Sequence, residues 1–528
     1  MYFTVIGTGE QPPADARNQA YLIPDDWNDW NKFTTQYTLI VCDAAGVQHP
    51  IGDVKIGQFD MKQDQQRAEI PSTFDALGPQ FFSLGQDYTY YERLKERKHI
   101  IRDRVLTGLR DIAADENLFE RAKNEVVTTQ SLLRSVTGVT AQEQFRRLAR
   151  GGERLRSYKF RYTGPMPAGE HQQDAKPVVL TFEVVPSSNP PLNIHVLIGP
   201  NGVGKTRILE HMARALIDGP DSSAVNGVFE RMGNADTDDF FANIVSVTFS
   251  AFDPFDPLPD RRGETDGIRY SYVGLKSTSK IATVKGTPKN LNTLTMDFAK
   301  SLERCATSSK AERWREALRT LESDPIFREA NVSSLIDGFG DEEESGIDSK
   351  RAADKLADDA TSLFLNLSTG HKIVLLTITR LVETVEERTL VLFDEPESHL
   401  HPPLLSAFIR AFSNLLISRN GVAVIATHSP VVLQEVPKSC SWKLQRYGNI
   451  VEAERPESET FGENIGALTR EVFGLEVTDS GFHALLREAV EKGGDYEKIL
   501  GQFSKKLGAE ARALLRTLLA TRNDNNGE

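Results

Sequence analysis

Residues 193–206 read NIHVLIGPNGVGKT, and this stretch decides the fold of the chain. A short, mostly apolar segment runs straight into a glycine-rich turn, and the RILEHMARAL that follows has helical periodicity. A strand, a glycine-rich loop and a helix in this order are typical of a phosphate-binding loop at the edge of a parallel sheet. The stretch therefore predicts an α/β fold built around this strand and this helix.

The loop supplies the groups that hold a nucleoside triphosphate. It fits the pattern GxxxxGK[ST], in which glycines let successive backbone N–H groups turn inward onto phosphate oxygens. Lys205 would reach the β- and γ-phosphates, and the Thr206 hydroxyl would ligate Mg²⁺. We therefore expect ATP and Mg²⁺ as cofactors, and the predicted ATP-binding residues are Gly199, Pro200, Asn201, Gly202, Val203, Gly204, Lys205 and Thr206.

A second apolar strand ends in two adjacent carboxylates. Residues 389–396 read TLVLFDEP, so Asp394 and Glu395 follow a run of four apolar side chains. Because the carboxyl ends of parallel strands meet at one edge of a sheet, both carboxylates are expected beside the phosphate loop. Asp394 is the predicted second Mg²⁺ ligand, and Glu395 is the predicted catalytic base that polarises the attacking water.

Two further segments place polar groups where they could meet the phosphates. Residues 424–430, VIATHSP, form another strand that ends at His428, which we predict to be catalytic through a hydrogen bond to the γ-phosphate or the attacking water. Residues 367–371, LSTGH, precede a helix, so Ser368 and Gly370 could form a second anion site at its N-terminus. Taken alone, this segment fits a plain helix cap equally well.

Taken together and in this order, the segments resemble the ABC-type ATPase superfamily, and more closely its SMC/RecF-like branch. The resemblance covers about residues 157–440 and implies that two copies sandwich ATP, with Ser368 and Gly370 acting in trans on the γ-phosphate bound to the other copy. A homodimer, or a higher homo-oligomer of dimers, is therefore expected. The chain departs from the family signature LSGGQ at Thr369 and His371, and it lacks the glutamine expected after residues 244–249, where Ser250, Asp253 and Asp256 stand. Both departures bear on the rate of hydrolysis.

The expected fold class is α/β: an ABC-type ATPase head with a mixed sheet flanked by helices, an inserted helical subdomain, an N-terminal α+β extension and a C-terminal helical region. The expected domains are an N-terminal extension over 1–156, an ATPase domain over 157–440 with a helical insertion at about 285–365, and a partner-docking hairpin with helices over 441–528. Within the first region, residues 37–42 and 54–57 predict a hairpin, and the periodicity from Phe81 to Arg150 predicts at least two helices.

Composition narrows the class of protein. The 62 Lys and Arg against 75 Asp and Glu give a net charge of 62 − 75 = −13, which argues against a protein that coats nucleic acid. The scattered Cys42, Cys305 and Cys440 indicate a reducing compartment without a disulfide framework. No apolar window is long enough to span a membrane. We therefore expect a cytoplasmic protein with no membrane partner.

The amino-acid sequences of two motifs resemble a narrower group of ATPases. EPESHLHP at 395–402 and ATHSP at 426–430 resemble the stand-alone ATPases of bacterial anti-phage systems, and residues 460–475 resemble the C-terminal part of Septu-type ATPases. Residues 441–528 lack the DxD cluster of a TOPRIM nuclease, so we expect no nuclease site in that region. The resemblance to Septu-type ATPases implies instead a separate nuclease subunit of the HNH type. Two alternatives stay open: a RecF-like repair ATPase that clamps duplex DNA, and an ATP-gated scaffold with little turnover. Basic residues near 93–104 and 146–161 leave direct nucleic-acid contact open as well.

Overall fold

The computed structural model describes most of the chain. The described residues are 1–25, 33–61, 65–97, 99–134, 136, 138–152, 155–167, 176–232, 241–249, 256–261, 268–277, 288–306, 310–337, 349–448, 450–478, 481–504 and 506–525.

The N-terminal region is built on a mixed six-stranded sheet. In the order β5-β1-β2-β3-β4-β6, only β1 and β2 are parallel. The predicted hairpin is confirmed, since the third and fourth strands pair antiparallel. The strands are β1 (Tyr2–Val5), β2 (Gln19–Pro24), β3 (Gln36–Cys42), β4 (Gln48–Gln58), β5 (Thr73–Phe74) and β6 (Phe81–Gly85).

The prediction of helix from Phe81 onward was wrong for its first five residues. Phe81–Gly85 forms β6, whose residues are all buried and which pairs with β4. The run FFSLG has no polar face, so its burial in a sheet overrides the helical periodicity of the residues after it. The helical segments that follow in this region are Tyr88–Glu96, His99–Gly108, Glu116–Ala122, Thr128–Leu132, Gly138–Thr140, Ala141–Phe145 and Arg146–Ala149.

A seven-stranded sheet forms the centre of the molecule, in the order β12-β11-β13-β14-β9-β15-β16. All neighbouring pairs are parallel except the last, so the sheet is mixed, as expected. A smaller antiparallel sheet, β10-β7-β8, lies against it. The strands of both sheets are β7 (Tyr158–Thr163), β8 (Val179–Val184), β9 (Ile194–Ile198), β10 (Val228–Met232), β11 (Asn243–Thr248), β12 (Arg269–Gly274), β13 (Thr389–Asp394), β14 (Val422–Thr427), β15 (Ser441–Tyr447) and β16 (Ile450–Glu454).

Each central strand supplies apolar side chains to both faces of the sheet. Leu390 and Leu392 of β13 pack with the helix Lys205–Ile217 and the small sheet. Val391 and Phe393 pack on the other face, with the helices Thr369–Thr384 and Pro402–Ile417. This alternation explains why β13 is buried along its whole length and reads as a continuous apolar run.

The helical insertion packs on the same face as Val391 and Phe393. Its Trp314 is fully buried and donates from Nε1 to Oγ1 of Thr379, 2.9 Å away in the helix Thr369–Thr384. The insertion is therefore part of the core of the ATPase region. Its helices are Leu291–Ala306, Ala311–Leu321, Pro325–Ala330 and Ser349–Asn366, with a 3₁₀ turn at Val332–Ile336.

The sheet continues past residue 440, which corrects the expected boundary of the C-terminal region. β15 pairs in parallel with β9, and β16 completes a hairpin at the sheet edge, so residues 441–454 belong to the central sheet. The helices Ile465–Thr478, Gly481–Glu491, Tyr496–Gln502 and Ala509–Asn525 follow. Among the described residues, no helix combines the length and apolarity needed to cross a membrane.

Candidate nucleotide site

The phosphate loop follows β9 directly, and its backbone is shaped by glycines. Gly202 and Gly204 have φ values of +78° and +104°, which residues with a side chain rarely adopt. A Cβ on Gly199 would lie 2.5 Å from the carbonyl oxygen of Leu444 in β15. The helix begins at Lys205, so the loop ends at the positive end of a helix dipole.

The side chain of Lys205 hydrogen-bonds to the backbone of the phosphate loop. Its side chain is buried, and Nζ donates to the carbonyl oxygens of Gly199 at 2.9 Å and Pro200 at 3.0 Å. Burial lowers the pKa of its ammonium group, while the carboxylates of Glu395 and Asp394 act to raise it. The structure therefore brings the lysine of one strand end and the carboxylates of another into one electrostatic site, as the sequence predicted.

A cavity of about 70 Å³ opens beside Thr206, the residue after this lysine. Thr206 and Asp394 both line it, and so does Thr248 at the end of the neighbouring β11. The Thr248 hydroxyl is buried and makes no hydrogen bond to any described residue. Carboxylate and hydroxyl oxygens are ligands that Mg²⁺ takes in proteins, so these residues fit the ion. Sequence reasoning missed Thr248, although its position at a strand end was a usable signal.

Glu395 lies next to His428 at the strand ends. Its carboxylate is 3.7 Å from Nδ1 of His428, and its backbone N–H donates to the carbonyl of Ala426 at 2.8 Å. Both side chains remain partly exposed. The structure thus brings together the two residues predicted to be catalytic.

Glu397 is a site residue that sequence reasoning did not single out. One oxygen, Oε1, accepts from the Thr427 hydroxyl at 2.7 Å and from the backbone N–H of His428 at 2.9 Å. The same oxygen lies 3.2 Å from His428 Nδ1. The carboxylate therefore fixes the end of β14 against the loop after β13. Its place in the segment ESHLH, directly after the strand-end carboxylates, was a usable signal in the sequence.

The signature segment begins a helix, as expected. Ser368 is the N-cap of the helix Thr369–Thr384, and Gly370 is so close to the next loop that a Cβ would lie 2.7 Å from the carbonyl oxygen of His399. Ser368 contacts His371 and does not line the cavity beside Thr206 and Asp394. Within one copy, the predicted in-trans pair therefore meets His371 and the loop after β13.

Three polar residues stand after β11 in the region where the resembled family has a glutamine. One of them, Asp256, lines the cavity. Ser250 and Asp253 lie outside the described residues.

Several members of the basic cluster near 146–161 form ion pairs within the chain. Arg146 pairs with Glu116 at 3.3 Å and Arg147 with Glu387 at 3.3 Å. Further along, Lys159 pairs with Glu183 at 2.9 Å and Arg161 with Glu230 at 3.2 Å. Carboxylates of the chain itself therefore engage these four basic side chains, and the Glu387 partner of Arg147 is buried.

Two comparisons with known proteins match parts of the chain. Residues 321–434 match a family model described as "AAA domain, putative AbiEii toxin, Type IV TA system", a range that includes Ser368, Asp394, Glu395 and His428. Among solved structures, "An inward-facing conformation of a putative metal-chelate type ABC transporter" is similar at 14% identity and a TM-score of 0.27, over 56% of this chain and 83% of that one.

A curated relative matches along nearly the whole chain. Protein ea59 of Escherichia phage lambda is 39% identical over 531 residues, which span 99% of this chain and 99% of the relative. Residues 321–434 are thus similar to an AAA-type ATPase domain. It belongs to the family of phage lambda protein ea59.

Proposed function

We propose that the chain binds ATP with Mg²⁺ and hydrolyses it at a site completed by a second copy. The observation that carries this proposal is the position of Lys205, buried in a glycine-rich loop and electrostatically coupled to Asp394 and Glu395. A buried ammonium group facing carboxylates at the end of a parallel sheet is arranged to bind a polyanion together with a cation.

Each described residue then has a chemical task. Backbone N–H groups of the loop cradle the phosphates, and Lys205 exchanges its two carbonyl partners for phosphate oxygens. Thr206 and Asp394 would hold Mg²⁺, which would neutralise charge on the β- and γ-phosphates when bound. Glu395 accepts a proton from the water that attacks the γ-phosphorus, the bond to the ADP oxygen breaks, and ADP and phosphate leave.

We assign Ser368 and Gly370 to the site of a second copy because the resemblance to ABC-type ATPases implies this role for the signature segment. Ser368 is exposed at the N-terminus of a sixteen-residue helix, where the backbone N–H groups favour an anion. In the proposed dimer this helix end of one copy faces the γ-phosphate held by the other.

Loss of the lysine tests the site. Lys205→Ala should weaken ATP binding by at least about tenfold, because a charge-assisted contact to the phosphates is lost. Calorimetric titration with ATP and Mg²⁺ measures the affinity. Lys492→Ala removes an exposed lysine just after the helix Gly481–Glu491 and should leave the ATP affinity unchanged. Equal ATP affinity in the Lys205→Ala and parent chains would contradict the proposal.

We further propose that the ATPase belongs to an anti-phage complex and controls a separate nuclease of the HNH type. The resemblance of residues 460–475 to Septu-type ATPases supports this role. Phe461 and Ile465 in that segment are 44% and 41% exposed, which suits a docking surface. The internal ion pairs of Arg146, Arg147 and Lys159 favour this role over a clamp on duplex DNA.

Co-expression with the neighbouring reading frames tests the wider role. A nuclease that co-purifies with the parent chain and is lost from the Phe461→Asp, Ile465→Asp double variant would support it. Leu485→Asp, at an exposed apolar residue further along the chain, is the matched control. Nucleotide-dependent binding of duplex DNA by the chain alone, with no nuclease partner, would favour the RecF-like alternative.

A further inference from the structure

Ser368, His371 and Asp324 form a chain of short contacts at the start of the signature helix. The Ser368 hydroxyl lies 2.6 Å from His371 Nδ1, and His371 Nε2 lies 3.0 Å from Asp324 Oδ1. His371 is 4% exposed and Asp324 is 8% exposed, whereas Ser368 faces solvent. A buried pair thus stands directly behind the exposed hydroxyl.

Asp324 fixes the proton on one side of the imidazole. Burial acts to raise the pKa of its carboxyl, but hydrogen bonds from His371 and from the backbone N–H groups of Phe327 and Ile326 outweigh burial, and the pKa is lowered. An ionised carboxylate only accepts hydrogen bonds, so His371 Nε2 carries a proton. What varies is the proton on Nδ1, the nitrogen that faces Ser368.

The two states of Nδ1 leave Ser368 with opposite capacities. When His371 is neutral, Nδ1 accepts the serine proton, and the hydroxyl turns only lone pairs outward. When His371 is doubly protonated, Nδ1 donates to the serine oxygen, and the serine proton is free to point outward. A phosphate oxygen is an acceptor, so only the second state can bind one through this hydroxyl.

The charged and titratable neighbours of the pair come from three elements. Asp324 belongs to the start of the helix Pro325–Ala330, and His401 Nε2, just before the helix Pro402–Ile417, lies 3.8 Å from the other oxygen of Asp324. On the signature helix, Lys372 donates to the carbonyl of Leu365 at 3.0 Å. His401 is half exposed and is a second imidazole beside the Asp324 carboxylate.

We propose that His371 and Asp324 are positioning residues for Ser368, and that Ser368 engages the γ-phosphate of a second copy only when His371 is doubly protonated. The inference rests on the proposed function, since it concerns the same shared site. Closure of the dimer then takes up one proton at each of its two sites.

Proton uptake makes dimer formation depend on pH. While His371 is neutral in the free chain, the uptake of two protons per dimer weakens the ATP-driven dimer by up to about a hundredfold for each unit rise in pH. Once His371 is doubly protonated in the free chain, the affinity levels off. At the same position the family signature has glutamine, whose amide donates without titrating.

Sedimentation of the full-length Glu395→Gln chain with ATP and Mg²⁺, from about pH 6 to about pH 8.5, measures this dependence across the usual histidine range. The Glu395→Gln chain should dimerise more weakly as the pH rises. Adding His371→Gln should flatten the profile near its low-pH level. Adding Asp324→Asn should move the fall to lower pH, because asparagine still caps the helix but no longer stabilises the imidazolium.

His401→Gln is the matched control, and it should keep the fall with pH. Superimposable profiles for the Glu395→Gln chain with and without His371→Gln would overturn the inference, and so would a flat profile in the His401→Gln chain. Absence of an ATP-dependent dimer at every pH and in every chain would instead refute the shared site of the proposed function, and the inference with it.

Discussion

Glu395 shows how much of the site rests on single residues. Its φ of +49° lies in the left-handed region, which costs a residue with a side chain about 1–2 kcal/mol. The conformation places the carboxylate 3.7 Å from His428 Nδ1 and within the field of Lys205. Strain of this kind persists where the surrounding structure holds a functional group in place.

Replacing this carboxylate separates binding from turnover. Glu395→Gln should keep ATP binding, abolish hydrolysis and accumulate an ATP-bound dimer, because the amide occupies the same place but cannot accept the proton of the attacking water. Phosphate release and sedimentation with ATP measure the two effects. Hydrolysis at the parent rate would contradict the role given to Glu395.

Thr248 offers a test of the cation site that does not depend on Glu395. Thr248→Val removes a buried hydroxyl that has no hydrogen-bond partner among the described residues, so the unliganded chain should lose no stability and could gain about 1 kcal/mol. If the hydroxyl faces Mg²⁺, the Mg²⁺ concentration for half-maximal turnover should rise several-fold. Thermal unfolding measures the stability, and a Mg²⁺ titration of turnover measures the half-maximal concentration. An unchanged half-maximal Mg²⁺ concentration would contradict the place of Thr248 in the cation site.

At the scale of elements, the phosphate loop depends on backbone conformation rather than on space. A Cβ on Gly204 would meet nothing within 4 Å, yet its φ of +104° strains any residue with a side chain. Gly204→Ala should therefore cost about 1–3 kcal/mol and weaken ATP binding. Gly501→Ala, in the helix Tyr496–Gln502 and equally open, has no positive φ and should be neutral or stabilising. Equal effects of the two changes would contradict this account.

Elements defined by local sequence could be predicted, and those defined by distant partners could not. β9, β13 and β14 were found because each is a short, mostly apolar run, followed in β9 by a glycine-rich loop and ending in β13 and β14 at polar residues. The hairpin of β15 and β16 was placed in the wrong region because nothing local shows that Ser441 pairs with Val196. Asp324 was missed for the same reason, since it meets His371 only through the packing of the helical insertion.

At the scale of the whole molecule, the N-terminal region is fastened to the sheet edge opposite the nucleotide site. Nη1 of Arg388, just before β13, donates to both carboxylate oxygens of Glu143 at 2.6 and 2.7 Å. Beside it, Arg419 reaches Asp87 at 3.3 Å, and the backbone N–H of Arg156 donates to Oδ1 of Asn420 at 3.0 Å. These contacts lie at the amino ends of β13 and β14, whereas Asp394 and His428 lie at the carboxyl ends of the same strands. The contacts of the N-terminal region and the nucleotide site therefore lie at opposite ends of these strands.

The shared site is the central claim, and mixing two inactive chains tests it most directly. Ser368→Arg and Lys205→Ala damage different halves of the site, so each homodimer should be inactive, while a mixed dimer keeps one site with both halves intact. At most about half of the dimers formed by random exchange are mixed, so phosphate release should return only in part. No return of activity, with subunit exchange shown by labelled chains, would contradict the account, as would activity in the Ser368→Arg homodimer.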